Sequence, residues 1–245
     1  MQQRLKVKAV IFDLVQTLVE FKEPHFKIIR ERLGEIVRRF NPAWTDERMS
    51  DIFQRIWDAE TELRMARHEE NDLQEIVIRC FVEFIGEKNA LSVKDEALRC
   101  HEAATVEVLR FQPEIPGLLN ELKKDYKIGL ISNFPITDPV IEVFKRDGLY
   151  DLFDAFVISY DLNLIKPSPK IFGHCLDILK VEPHEAVFIG DDWMLDMEGA
   201  SGAGLYTCHY TGLLDEGEFP YGDGVPTLSI SDMRELPGLI QPVSF

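Results

Sequence analysis

Four stretches of the sequence place side chains that can do chemistry at or just after apolar runs. Asp13 follows the run VKAVI and its Phe12, Ser132 and Asn133 follow YKIGLI, and Lys166 lies in LIKPSPKIF. Three further carboxylates lie in the stretch IGDDWMLD: Asp191, Asp192 and Asp196. Carboxylates held close together repel one another, so either some of them are protonated or a cation lies among them. These residue types predict a site that combines an acidic cluster with one lysine.

A hard divalent cation with oxygen ligands suits such a cluster. Mg²⁺ usually binds one or two protein carboxylates, keeps several waters and binds substrate phosphate. The motifs hold no Cys or His, which argues against zinc. Ser132, Asn133 and backbone N–H groups could hold phosphoryl oxygens while Lys166 adds a second positive charge. Asp13 would then be free to attack phosphorus and form an aspartyl-phosphate.

A parallel sheet is the element that brings such residues together. Apolar runs rich in β-formers recur at 7–12, 126–132, 153–159, 186–191 and 205–211. Stretches with helical periodicity, such as Met194–Gly202, separate most of them. This alternation predicts an α/β fold with a doubly wound parallel sheet. Ligands of open parallel sheets bind outside the carboxyl ends of the strands, where the residues named above would meet. A loop at 213–226 and a last strand, TLSI, complete this part.

A helical segment interrupts the α/β pattern. Between about residues 22 and 110 the sequence shows only helical patterns, four in number, with breaks at Asn41-Pro42, Thr45-Asp46 and Gly86. We therefore predict an α/β core domain of residues 1–20 and 111–245, with an inserted helical domain of residues 21–110. The aromatic side chains of the insert are more typical of a packed core than of a ligand site.

The four motifs FDLVQTL, ISN, KPSPKIF and GDDWMLD, in this order, resemble those of the haloacid dehalogenase (HAD) superfamily. The helical insert resembles the C1 cap of its phosphatase-type members, and the core is then the Rossmann-like HAD core. The resemblance implies Asp13 as the nucleophile, Ser132 and Lys166 as binders of phosphate and nucleophile, and Thr17 as support of the substrate-binding loop. It also implies Mg²⁺ bound by Asp13, the carbonyl of Val15 and Asp191, with Asp192 or Asp196 in direct or indirect contact.

Two of these carboxylates have simpler explanations. Asp192 is as well explained as the N-cap of the following helix, where Asp is a preferred residue. Asp196 could hold the loop by hydrogen bonds alone. Neither alternative affects the roles expected of Asp13 and Asp191.

Val15 is the point at which the chain departs from the family pattern. Phosphatases of this superfamily usually carry a second Asp there, which protonates the leaving group, and general acid–base catalysis contributes about 10²–10⁴-fold. Gln16 likewise replaces a residue that is often Gly. The departure leaves three interpretations: a phosphatase for leaving groups that need little protonation, a 2-haloacid dehalogenase, or a non-catalytic protein that binds phosphate or a metabolite. Glu20, Glu23 and His25 follow the motif and could supply an acid.

Composition restricts the partners. A formal net charge of −16 disfavours nucleic acid and anionic membranes, and no apolar stretch approaches the ~20 residues of a membrane span. Without a signal peptide the protein is expected to be cytoplasmic, with its four cysteines reduced. We expect a small phosphorylated metabolite as the partner; the sequence leaves a monomer or a homodimer open.

Overall fold

The computed structural model describes residues 4–214 and 226–243. Strands β2 to β7 form a six-stranded sheet in the order β4-β3-β2-β5-β6-β7, and every pairing in it is parallel. In chain order the strands are β1 (Leu5–Val7), β2 (Ala9–Phe12), β3 (Lys127–Ser132), β4 (Ala155–Ile158), β5 (Ala186–Gly190), β6 (Tyr206–Tyr210), β7 (Leu228–Ile230) and β8 (Ile240–Pro242).

The strand order makes the sheet doubly wound, as predicted. From β2 the chain builds outward through β3 to β4, then returns to β5 on the other side of β2 and continues to β6 and β7. The direction of winding therefore reverses at β2. Ligands of open α/β sheets bind at this switch point, outside the carboxyl ends of the strands.

The expected first strand, 7–12, is divided in the structure. Leu5–Val7 pairs in parallel with Ile240–Pro242 as a separate two-stranded sheet. At Lys8 the chain changes sheets: its N–H donates to the carbonyl of Glu185 at 2.7 Å and its ammonium group pairs with the Glu185 carboxylate at 2.7 Å. The sequence did not predict β8, because Pro242 is a poor strand signal.

Five helices connect β2 to the next part of the core. They are α1 (Glu23–Arg38), α2 (Asp46–Met65), α3 (Leu73–Ile85), α4 (Glu87–Ser92) and α5 (Lys94–Val108). Thr45 caps α2 by accepting from the N–H of Arg48, and Gly86 ends α3 with a φ of +75°, which favours glycine. The sequence predicted four of these helices but not the short, largely polar α4. All five fall within residues 21–110, and the division into two domains stays a prediction.

The remaining helices pack around the sheet. They are α6 (Ile115–Leu122), α7 (Asp138–Arg146), α8 (Ser159–Leu162), α9 (Pro169–Leu179), α10 (Gly199–Gly202) and α11 (Leu236–Leu239). The helix predicted from Met194 to Gly202 is a π-helical turn, Trp193–Glu198, followed by α10. Most of the predicted loop 213–226 lies outside the described residues.

Both faces of the sheet are covered. Val10 and Phe12 of β2 lie in an apolar cluster that continues into the helices of the insert, whereas Ala9 and Ile11 lie in a second cluster with residues of α9. Successive strand residues alternate between faces, so one short strand contributes to both clusters. In the part of the chain that the structure describes, no helix is both long and apolar enough to cross a membrane.

Candidate active site

Asp13 lies at the switch point of the sheet. Its N–H donates to the carbonyl of Ile189 at 2.8 Å, which extends the pairing of β2 with β5 by one residue. Its side chain is buried beyond the end of the strand. The turn after it is closed by hydrogen bonds from the N–H groups of Leu18 and Val19 to the carbonyl of Leu14.

Gln16 occupies the turn position at which glycine is common in the resembling family. Its φ of +58° lies in the left-handed region, which a residue other than glycine adopts infrequently. The side-chain oxygen of Gln16 accepts from the N–H of Phe21 at 3.1 Å, and its own N–H donates to the carbonyl of Val19 at 2.7 Å. These bonds hold the residue in a conformation that its side chain does not favour.

Lys166 joins two carboxylates from different parts of the chain. Its buried ammonium group donates to Asp13 Oδ1 and to Asp196 Oδ1, each at 2.6 Å. Burial acts to lower the pKa of Lys166, but the two carboxylates together raise it above its ordinary value. Lys166 is therefore charged at neutral pH.

Asn133 fixes the loop that carries this lysine. Its side-chain oxygen accepts from the N–H of Lys166 at 2.8 Å, and its amide nitrogen donates to the Lys166 carbonyl at 3.1 Å. The sequence predicted a contact of Asn133 with phosphate. The structure shows its side chain positioning Lys166 instead, so any bond from Asn133 to phosphate stays a prediction.

Asp191 follows β5 and is held from two sides. Thr17 Oγ donates to Asp191 Oδ1 at 3.1 Å, and His209 Nε2 lies 2.9 Å from the Asp191 carbonyl oxygen. Thr17 was predicted in a substrate-binding loop, and the observed contact makes it a positioning residue for Asp191. His209, in the run 205–211, was not predicted, because its partner is a main-chain oxygen that no motif identifies.

Asp13, Asp191 and Asp196 form an acidic cluster. One carboxylate oxygen from each lies within 4.8 Å of the others, a geometry that could hold a metal ion. The π-helical turn brings Asp196 beneath β5, where a Cβ on Gly190 would overlap its carboxylate. This requirement for glycine before Asp191 is one that spacing alone does not reveal.

Asp192 does not belong to the acidic cluster. Its side chain is exposed and accepts from the N–H of Leu195 at 2.7 Å, which makes it the N-cap of the π-helical turn. Its own N–H donates to Asp196 Oδ2 at 3.1 Å. The structure therefore shows the N-cap that the sequence offered as one explanation of Asp192, and its role as a metal ligand stays a prediction.

The acidic cluster carries an excess of negative charge. Burial and the neighbouring carboxylates raise the pKa of Asp191 to about 8, and burial raises the pKa of Asp196 to about 7 even though Lys166 opposes it. Burial also raises the pKa of Asp13, again against the effect of Lys166. Three carboxylates face one ammonium group, so a divalent cation would balance the charge of the fully ionised cluster.

Ser132 contributes a buried hydroxyl group to the site. Its Oγ is buried at the end of β3 and has no hydrogen-bond partner among the described residues. A buried hydroxyl without a partner costs about 1–3 kcal/mol, which a bound ligand can recover. An oxygen-rich ligand and a cation together therefore fit the donors and acceptors present.

A cavity of about 560 Å³ adjoins these residues and extends among the helices α1, α2, α3 and α5. At its core end it is lined by Val15, Asn133 and Leu195. Val15 is half-buried there, two residues after Asp13, and the role of its carbonyl as a metal ligand stays a prediction. The cavity gives a ligand at the strand ends room to extend toward the insert.

The insert also bonds directly to the core beside this cavity. Ser159, at the end of β4, hydrogen bonds to the buried carboxylate of Glu70, and the N–H of Glu70 donates to Asn163 Oδ1 at 3.2 Å. The N–H of Ile165, next to Lys166, donates to the carbonyl of His68 at 3.0 Å. The sequence did not identify Glu70, which lies in a run of acidic residues typical of a solvated surface.

The acids proposed from the sequence as substitutes near Val15 are engaged elsewhere. Glu23 pairs with Arg30 at 2.5 Å, and His25 Nδ1 accepts from the N–H of Lys22 at 2.9 Å. Glu20 lies 3.6 Å from the ammonium group of Lys22. None of these contacts directs an acid toward Asp13.

Comparison with known proteins places the chain among hydrolases. Residues 7–204 match the family described as haloacid dehalogenase-like hydrolase. The chain is 24% identical to N-acylneuraminate-9-phosphatase of Rattus norvegicus, over 97% of this chain and 95% of that protein. It is 26% identical to glyceraldehyde 3-phosphate phosphatase of Methanopyrus kandleri, over 97% and 99%.

A solved structure with the same fold is that of 2-haloacid dehalogenase from Pseudomonas syringae pv. Tomato DC3000. It superposes with a TM-score of 0.73 at 24% identity, over 95% of this chain and 97% of that one. At this identity the likeness shows the fold and leaves the reaction open.

Proposed function

Since the chain belongs to the haloacid dehalogenase-like hydrolases, we propose that it is a Mg²⁺-dependent phosphatase acting on a small organic phosphate. The observation that carries the proposal is the charge of the acidic cluster. Among the described residues, Asp13, Asp191 and Asp196 share a single cation, Lys166. Burial is the main cause of the raised pKa values of all three carboxyls, and neighbouring carboxylates raise them further. A divalent cation would balance this negative charge, and an anionic phosphate would then bind beside the cation.

Oxygen ligands and the need for two positive charges fit Mg²⁺. Asp13 and Asp191 would bind the ion, with the Val15 carbonyl beside them. Asp196 would stay hydrogen bonded to Lys166 and add its negative charge to the same site. When bound, the ion supplies positive charge that stabilises the negative charge on the transferring phosphoryl group.

Asp13 is the nucleophile in this proposal. Its carboxylate oxygen attacks phosphorus, the bond from phosphorus to the leaving oxygen breaks, and an aspartyl-phosphate forms. Water then attacks phosphorus, the bond to Asp13 breaks, and inorganic phosphate leaves. Lys166, 2.6 Å from Asp13, favours the ionised carboxylate that the attack requires. The unpartnered hydroxyl of Ser132 supplies a hydrogen bond to a phosphoryl oxygen.

Val15 leaves the departing oxygen without an acid at the usual position. The leaving group therefore has to depart as an anion, which acyl and aryl phosphates tolerate and alkyl phosphates do not. This feature separates the proposed substrates from those that the named relatives act on, and the relatives' names do not identify the substrate here.

A 2-haloacid dehalogenase is the second candidate, and Val15 is the observation that favours it. Halide leaves carbon without a proton, so Asp13 and Lys166 would suffice. The acidic cluster argues against it, because without a metal ion Lys166 alone would have to balance three carboxylates. A metabolite-binding protein without turnover would have no use for a buried nucleophile.

Steady-state release of phosphate from acetyl phosphate and p-nitrophenyl phosphate tests the proposal. We expect turnover with Mg²⁺, none with EDTA, and a loss of at least about 10³-fold in Asp13→Asn. The matched control, Asp177→Asn on the exposed face of α9, keeps full activity. Chloride release from 2-chloropropionate in EDTA, with no phosphate release in Mg²⁺, would overturn the proposal in favour of the second candidate.

A further inference from the structure

The cavity beside the acidic cluster is mostly apolar and rich in aromatic side chains. Phe21 and Phe134 lie near its core end, and Phe53, Trp57 and Phe81 line its walls among the helices. Phe53 and Trp57 are stacked, with ring centroids 5.7 Å apart. Walls of this kind favour a flat apolar group, because aromatic pairs add to the free energy gained by burying area.

The size of the cavity exceeds that of one aromatic ring. Its volume of about 560 Å³ falls in the range of roughly 300–1,000 Å³ in which proteins bind drug-sized ligands. A three-carbon phosphate would leave most of it filled with water against apolar walls. The cavity therefore favours a substrate whose non-phosphate part is larger than a single ring.

The cations in the wall are already paired. Arg30 bonds to Asp46 at 2.7 Å and to Glu23 at 2.5 Å, and Arg64 bonds to the Glu70 carbonyl and lies 3.6 Å from the Glu60 carboxylate. A substrate with its own carboxylate would have to displace a protein carboxylate to find a partner. Displacing Asp46 or Glu60 is costly, because both side chains are mostly buried and would be left unpaired.

Two further titratable groups of the wall, His101 and Cys80, are uncharged at neutral pH, and the wall also contains Glu23, Glu69 and Glu70, whose carboxyl groups disfavour an anionic substrate group. Burial lowers the pKa of His101 to about 4 and raises the pKa of the Cys80 thiol to about 12. Thr105, beside His101, donates to the main-chain carbonyl of His101 at 2.9 Å. The wall of the cavity therefore favours a neutral substrate group over a charged one.

We propose, on the basis of the proposed phosphatase activity, that the substrate is an aryl phosphate whose neutral, polycyclic aromatic leaving group occupies this cavity. Two independent features lead to this class. Val15 requires a leaving oxygen that departs without a proton, which a phenolate does and an alkoxide does not. The aromatic, charge-paired cavity requires a bulky neutral leaving group.

Three substrates with leaving groups of similar acidity test the shape of the cavity: phenyl phosphate, 2-naphthyl phosphate and 2-naphthyl phosphate with a carboxylate on the distal ring. We expect kcat/KM for 2-naphthyl phosphate to exceed that for phenyl phosphate by about tenfold or more, since a second ring buries further apolar area. The added carboxylate should lower kcat/KM by at least about tenfold.

A fourth substrate, 2-naphthylmethyl phosphate, tests the leaving group. It has nearly the same shape as 2-naphthyl phosphate but releases an alkoxide. Wild-type protein should hydrolyse it at least about 100-fold more slowly, and Val15→Asp should raise its rate more than that of 2-naphthyl phosphate, because only the alkoxide needs the restored acid.

A variant in the wall adds a structural check. Val77 is buried in α3 and lines the cavity, so Val77→Phe should reduce the ratio of the naphthyl to the phenyl rate. Val82→Phe makes the same change on the same helix outside the cavity lining and should leave that ratio unchanged. The substrate comparison with wild-type protein stands whether or not Val77→Phe folds.

The outcomes separate this inference from the proposed function. If p-nitrophenyl phosphate is hydrolysed but 2-naphthyl phosphate is no better than phenyl phosphate, the substrate class is wrong and the phosphatase stands. The same follows if the carboxylated or alkyl substrate is preferred. If no phosphate is hydrolysed with Mg²⁺, the proposed function falls, and this inference falls with it.

Discussion

Lys166→Met removes the cation that lies between Asp13 and Asp196. Both carboxylates lose a charged hydrogen bond of 2.6 Å in a buried setting, and the side chain of methionine offers them no replacement. Removing one partner of a buried ion pair costs about 3–5 kcal/mol. One kcal/mol lowers the melting temperature of a chain of this size by about 2–4 °C, so we expect a decrease of about 6–20 °C.

The loss should depend on pH in a defined direction. The pKa of Asp196 is already raised to about 7 in the folded wild-type protein, and losing Lys166 raises it further. The folded variant then binds more protons than its unfolded chain, so its stability increases as the pH falls. The difference in melting temperature between wild type and variant should therefore be larger at pH 8 than at pH 5.

Thermal unfolding followed by circular dichroism in EDTA measures both effects. Lys170→Met is the matched control, because Lys170 is exposed on α9 only four residues away. Added Mg²⁺ should restore part of the stability of Lys166→Met, since it supplies positive charge to the same carboxylates. Equal melting temperatures for the two variants at pH 8, or a gap that does not narrow at pH 5, would refute the charge argument.

Three further predictions concern the acidic cluster and the contact of the insert with the core. The pKa of Asp191 is raised to about 8, and Mg²⁺ binding needs the ionised carboxylate, so the apparent Kd for Mg²⁺ should increase about tenfold per pH unit below 8. A Kd that stays constant from pH 6 to 8 in calorimetric titrations would contradict this. Gly190→Ala should lower the free energy of unfolding in urea by about 1–3 kcal/mol by displacing Asp196, whereas Gly173→Ala, with nothing within 4 Å of its added Cβ, should raise it by about 0.5–1 kcal/mol. Burial raises the pKa of Glu70, so at pH values above the ordinary pKa of 4.5 the folded protein binds more protons than the unfolded chain, and its stability falls as the pH rises. In the same urea assay, the free energy of unfolding of Glu70→Gln should therefore fall less between pH 5 and 8 than that of the wild type.

Residues at the ends of strands were the part of the site that the sequence could predict. Asp13 and Asp191 each follow an apolar run, and Lys166 comes shortly before a helix. The parallel sheet brings these positions together at one edge. The strand predictions hold for the same reason, since continuous apolar runs identify buried strands. The division of the first strand at Lys8 escaped prediction, because it depends on pairing with β8 at the far end of the chain.

Contacts that depend on tertiary geometry could not be predicted. The burial of Asp196 and the exposure of Asp192 depend on a π-helical turn, which periodicity cannot distinguish from an ordinary helix. Burial raises the pKa of Glu70 even though its hydrogen bond with Ser159, 89 residues away in the chain, acts to lower it. The cavity, likewise, is lined by side chains from four helices whose mutual placement no local pattern specifies.

The central claim, that Asp13 forms a phosphoryl intermediate, can be tested by acid quench during turnover of acetyl phosphate with Mg²⁺, followed by mass spectrometry of the peptide that contains residue 13. We expect an adduct with the mass of one phosphoryl group on Asp13, absent in EDTA and absent in Asp13→Asn. Phosphate release without any such adduct, or an adduct on another residue, would contradict it.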